Sequence, residues 1–146
     1  MSKLLPLLFL ALFFTSCNQD DDACLSFAPP EFFIELLDSE GNNLIENGTF
    51  IGPEITVLTQ NVLMSGVVFP GLEEVENLIV IELLGLDGDN EYQINLSDSV
   101  TDILILNLSV ENHECGPVKT VNTATYNGVS QTVETYIGRP IIRVIR

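Results

Sequence analysis

Tryptophan is absent from the 146 residues, histidine occurs once, and only five residues are Lys or Arg. Each shortage excludes something. Without Trp, and with three Tyr, there is little aromatic platform on which sugar rings could stack, which weakens glycan recognition. A Ser-His-Asp hydrolase needs a His to carry the proton; His113 is the only one, and no G-x-S-x-G elbow is present. Between Cys17 and Val118 there is no Lys or Arg at all, while every acid except Glu134 lies there. Nucleic acid and anionic lipid surfaces need clustered cations and are therefore poor partners. The remaining bases, Lys119, Arg139, Arg143 and Arg146, gather in the last segment. There they either neutralise acidic neighbours within the fold, the simpler expectation, or form a basic site.

An apolar run of membrane-spanning length is also missing. Leu4 to Phe14 is uncharged and rich in Leu and Phe, behind a single Lys3, but it falls short of the roughly 20 residues a spanning helix needs. It has the form of a secretory leader. The leader ends in Phe14, Thr15, Ser16, Cys17, which resembles the lipobox of bacterial lipoproteins, whose Cys is diacylated and becomes the mature N-terminus; an ordinary signal peptide is the alternative. The resemblance implies residues 1–16 as a cleaved signal helix, Cys17 as the lipidation site, and 17–30 as a short acidic, Pro-containing tether. Asp20 to Asp22 look like the export signals of Bacteroidota-type lipoproteins, which direct the protein to the outer membrane and its exposed surface, with the periplasmic face as the alternative; the plainer view is a solvated tether. Once Cys17 carries lipid, Cys24 and Cys115 remain, an even number in an oxidising compartment, so one disulfide is the simplest expectation and two free thiols the other. Closing so long a loop would contribute on the order of 4 kcal/mol.

From Glu31 onward the chain alternates short apolar runs with turn residues. Glu31 to Asp38 and Asn43 to Glu46 read as a hairpin around Ser39 to Asn42. Ile55 to Thr59, a weak run at Gly66 to Phe69, Leu78 to Leu84, Glu91 to Leu96, Thr101 to Val110, Val118 to Tyr126, Val129 to Tyr136 and Pro140 to Ile145 follow as strands. Tyr92, Ile94 and Leu96 share one face of their strand, and Leu104, Leu106, Leu108 and Val110 share the core face of theirs. Glu73, Glu74 and Glu76 allow a short helix at Leu72 to Asn77. With no amphipathic helical stretch beyond the leader, the pattern predicts one all-β domain over 31–146, an antiparallel β-sandwich of seven to nine strands. EFFIELLDSEGNNLIENGTF resembles the opening hairpin of Ig-like or transthyretin-like sandwich domains, and the chain as a whole is similar to small flavobacterial lipoproteins.

Three sites invite chemistry. Asp87, Asp89, Asn90 and Glu91 concentrate oxygen ligands as Ca²⁺ would need, although they do not match an EF-hand loop and a polar turn explains them equally. Asp98-Ser99-Val100 resembles the short motif at which Bacteroidota O-glycosylate exported proteins, which makes Ser99 a candidate. Glu111, His113 and Cys115 alternate in a polar loop, where a solvated side chain beside a disulfide is the simpler account. The expectation is a non-enzymatic binding or accessory module in the envelope, without cofactor unless Ca²⁺, held to the membrane by lipid and meeting a protein or glycan. The alternative is a carboxylate-based or Ca²⁺-dependent hydrolase, for which two acids should converge in a pocket with raised pKa values.

Overall fold

The structure is a computed structural model that describes residues 30–146. The leader, Cys17, the acidic run and Cys24 lie outside the described residues. No helix among those described is long and apolar enough to cross a membrane.

The described chain is all-β, with ten strands in two sheets. One sheet has the order β4-β1-β10-β9, built from Ile79–Glu82, Glu31–Leu37, Arg139–Ile145 and Glu134–Tyr136. The other has the order β3-β2-β5-β6-β7-β8, built from Val62–Ser65, Thr56–Thr59, Gly88–Ser97, Val100–His113, Gly116–Tyr126 and Val129–Gln131. The alternation predicted for β5 and β6 is observed as far as Leu108, while Val110 is only half-buried and lies outside the core. Tyr92, Ile94, Leu96, Leu104, Leu106 and Leu108 point inward and join Phe32, Ile34, Leu36, Ile79, Ile81, Ile142 and Val144 of the facing sheet in one core. That shared core holds the two sheets together, because each sheet has an apolar face to remove from water.

β1 and β4 read as continuous apolar runs because both of their faces are covered. Phe33 and Val80 turn away from the main core into a smaller cluster with Leu78 and Ile141, against which Val75 and Tyr136 pack. Phe33 and Tyr136 meet edge to face, with ring centroids 6.4 Å apart.

Several expectations are corrected. The sheets are not wholly antiparallel: β1 and β10 run parallel, with Phe33 opposite Ile141 and Leu36 opposite Val144. A parallel pair needs a long connection, and here nearly the whole chain between the first and last strands supplies it. Asn43 makes only a single bridge to Leu37. Its Oδ1 accepts from the N–H groups of Ile45 and Glu46, which curls the chain into turns in place of a second strand. The run at Gly66 to Phe69 forms no strand, although the N–H of Val80 donates to Val67 O at 2.7 Å. Leu72 to Asn77 forms turns and no helix: Val75 and Glu76 donate to Leu72 O, and Asn77 then takes φ 63°. Too little of this segment is buried to offset helix nucleation. Thr132 and Val133 divide the run at Val129 to Tyr136 into two strands that belong to different sheets. With the unforeseen β3, the count rises above nine.

Candidate functional site

The four bases of the last segment are all engaged inside the fold. In the parallel register of β10 against β1, Arg143 stands opposite Glu35; its Nε donates to Glu35 at 2.8 Å and its Nη1 to Glu134. These hydrogen bonds, that to Glu35 first, raise the Arg143 pKa. Arg139 lies 3.5 Å from Glu31, and Lys119 reaches the carbonyl of Leu83. Arg146 forms a two-pronged pair with Asp102, Nε to Oδ2 at 2.7 Å and Nη2 to Oδ1 at 2.8 Å. Three of the four, Arg139, Arg143 and Arg146, are paired with acids as the sequence suggested, while Lys119 meets only a carbonyl.

The Asp102 cluster is the polar centre of the molecule, and the sequence reading missed it. The Asp102 side chain is only 4% exposed and also accepts from the Tyr126 hydroxyl at 2.9 Å. Arg146 lies over the Phe50 ring at 5.3 Å, and its N–H donates to Leu37 O. Burial alone would push the Asp102 carboxyl up; hydrogen bonds from Arg146, Asn127 and Tyr126 and the Arg146 charge outweigh it and hold the carboxyl below its ordinary value. Burial, reinforced by the neighbouring carboxylate, pushes the Tyr126 hydroxyl up. A signal was present in the sequence: Asp102 has the parity of Leu104, Leu106 and Leu108, and a charge on a core-facing position demands a partner.

The four calcium candidates do not converge. Asp89, Asn90 and Glu91 belong to β5 and not to the preceding turn, so successive side chains leave on opposite faces. Asn90 turns inward and is used up in closing the loop before it. Its Nδ2 donates to Leu86 O and Gly88 O, and its Oδ1 accepts from the Leu86 N–H. Asp87 accepts from the Val110 N–H, and Asp89 accepts from Asn107 Nδ2 at 2.6 Å. Glu91 accepts from Gln93. Among the described residues no cluster of His, Cys, Asp and Glu is arranged to hold a metal.

Ser99 is exposed in the two-residue turn between β5 and β6. His113 ends β6 and lies 3.6 Å from Glu111, both side chains more than half exposed. Cys115, in the following turn, is disulfide-bonded.

Among the described residues, two recesses lie over the outer face of the four-stranded sheet. A cleft of about 580 Å³ is bounded by Glu35, Asn42, Asn43, Glu46 and Asn47. A smaller recess of about 140 Å³ lies among Glu35, Glu73, Glu74, Glu76 and Arg143. Acids are thus numerous on this face, but Glu35 is already bound to Arg143. Among the described residues, Asp38 and Asp102 are held below the ordinary carboxylate value, Asp38 mainly by hydrogen bonding from the Asn42 side chain. A general acid at neutral pH needs the opposite shift.

Compared with known proteins, the chain matches no family model, no curated protein and no solved structure.

Proposed function

We propose that this chain is a lipid-anchored β-sandwich module of a bacterial envelope, non-enzymatic, which presents an acidic surface to a partner protein. The observation that carries the proposal is the use of all four downstream cations inside the fold, in a chain with 21 acids. The acids far outnumber the bases that could offset them, so the net field outside the fold is negative. Such a surface attracts cationic partners and repels acidic ones, which affects encounter rate and selectivity more than affinity. The recess that gathers Glu73, Glu74 and Glu76 has the Arg143 guanidinium beside it, a cation that favours ionised carboxylates over a general acid, and this favours the module over the carboxylate hydrolase.

Two sheets with a common core favour the sandwich form. In the Ig-like arrangement the first two strands share a sheet, whereas β1 and β2 here belong to different sheets. The transthyretin-like alternative is therefore preferred. Cys17 carries the anchor, with the outer face of the outer membrane as destination in a Bacteroidota-type host. The exposed turn around Ser99 is open to a glycosyltransferase. Cys24 is the partner assigned to Cys115, which would tie the start of the domain to the end of β6 close to the membrane.

One experiment in cells tests the module. A photo-crosslinking amino acid replaces Asn47 in the cleft beside Glu46, in chains with and without Cys17→Ser. The expected result is a membrane-fraction protein that gives a discrete protein adduct, and release to the soluble fraction when Cys17 is replaced. A Cys17→Ser chain that stays with the membrane would overturn the anchor, and no adduct would overturn the recognition surface.

A further inference from the structure

One edge of the molecule differs from the rest. From Ile55 to Leu72 the sequence has no charged residue, in a chain whose formal net charge is -16. Edge strand β3 lies in this stretch, and its Val62 and Leu63 are 47% and 63% exposed. Natural edge strands are commonly guarded by charge, by Pro or by a bulge; among the described residues β3 has only its shortness. In an antiparallel pair, every second residue of an edge strand directs its N–H and C=O away from its neighbour.

The end of β3 opens into a recess of about 250 Å³ bounded by Met64, Ser65, Phe69, Val80, Glu31 and Glu82. Beyond Phe69 lies a second recess of about 260 Å³, to which Phe33, Leu72 and Val75 contribute, and which shares Glu31, Phe69 and Val80 with the first. Phe69 and Leu72 remain 41% and 56% exposed between and beside them. Glu31 is occupied by Arg139. Glu82 is exposed, and among the described residues it has no cationic partner.

We propose that β3 and the paired recesses bind an extended segment of a partner protein in which apolar and basic residues alternate. The segment joins the sheet as a strand along β3. Its apolar side chains enter the recesses on either side of Phe69, and a Lys or Arg meets Glu82. Backbone hydrogen bonds supply affinity in such strand addition, and pockets for alternate side chains supply selectivity. Charge decides among occupants. Two copies of so acidic a chain repel each other, and an anionic lipid surface would face Glu73, Glu74 and Glu82, whereas a cationic segment is drawn in by the same field.

The proposal rests on the chain being a binding module. It is tested with the mature chain carrying Cys17→Ser and a fluorescein-labelled peptide of sequence TKVKIKV, capped at both ends, by anisotropy at two salt concentrations. Binding should fall by about tenfold or more for the charge-matched TKGKGKG, for the acidic TEVEIEV, and for TKVKIKV methylated on alternate backbone nitrogens, which lack respectively the anchors, the charge and the donors. Phe69→Ala and Glu82→Gln should each weaken binding several-fold, while Glu111→Gln, an equal charge change at the far end of β6, should leave it within about twofold. Equal binding of the glycine peptide, or equal weakening by Glu111→Gln, would reduce the effect to bulk charge and overturn the proposal. So would a dimer in sedimentation equilibrium that Leu63→Lys dissolves, or Phe69-dependent binding to anionic phospholipid vesicles without peptide binding. A retained Asn47 adduct in cells alongside failed peptide binding removes this groove and leaves the module standing; loss of the adduct removes the module's cleft at Asn47.

Discussion

Removing the Asp102 carboxylate would strand two partners at once. Arg146 would lose both prongs of its pair, and Tyr126 would lose its acceptor in a buried setting. Deleting one partner of a buried pair costs about 3–5 kcal/mol. The Arg146 side chain is 29% exposed and can recover some hydration, so Asp102→Ala should lose about 2–4 kcal/mol in urea denaturation. A loss below about 1 kcal/mol would mean that the pair contributes little beyond its own desolvation. The pH dependence has a definite sign. A carboxyl held lower in the folded than in the unfolded state adds stability that is fully present above its unfolded value, near about 4, and lost as pH falls through the folded value. The wild-type chain should therefore lose stability on acidification below about pH 4 more steeply than Asp102→Asn, which takes up no proton there. Parallel acid-unfolding curves for the two would remove Asp102 from the account.

At the scale of elements, the loop from Leu83 to Asp87 is held by the inward Asn90 side chain, and the backbone passes very close to it. A Cβ on Gly85 would stand 2.4 Å from Asn90 Oδ1, at a φ of +147°. Gly85→Ala must displace an amide fixed by hydrogen bonds to Leu86 and Gly88 and also strain the backbone, at about 1–3 kcal/mol or more. Thermal unfolding measures this, and a melting temperature within error of wild type would show that the loop can give way. What the sequence revealed of the elements follows from periodicity. β5 and β6 have one solvated face, so their alternation was legible, and with it the core positions Tyr92 to Leu96 and Leu104 to Leu108. β1 and β4 are covered on both faces, so they read only as apolar runs. β3 escaped because its reversal uses Gln60 and Asn61, at φ 48° and 64°, in place of an Asn-Gly or Asp-Gly pair. At the calcium candidates Gly88 begins the strand instead of sitting within the turn, so alternation turns Asn90 inward and leaves Asp89 and Glu91 on the outer face. Pairings between distant parts of the chain, such as β1 with β10 or Asp102 with Arg146, have no local signature.

The whole molecule is governed by its imbalance of charge, and the fold states how that imbalance is distributed. With 21 acids against five bases, and with the downstream bases already committed to Glu31, Glu35, Glu134, Asp102 and a carbonyl, most carboxylates of the described residues have no cationic partner. Two opposing effects of salt follow. Screening weakens the exposed pairs at Arg139 and Arg143, which contribute about 0–1 kcal/mol each, and it relieves the mutual repulsion of the uncompensated acids, which destabilises the compact state. The second effect sums over many more charges. At low salt the Debye length, about 30 Å at 0.01 M, lets carboxylates on different strands repel one another, whereas at 1 M it is about 3 Å. The melting temperature should therefore rise as sodium chloride is raised from 0.01 M to 1 M at neutral pH. Asp102→Asn should show the same rise, because the buried pair is screened far less than the surface. A melting temperature that falls with salt would mean that the ion pairs of β10 outweigh the repulsion among the acids. The distributed negative surface would then be a minor factor in stability, and its role in attracting a partner would have to be judged by association rates alone.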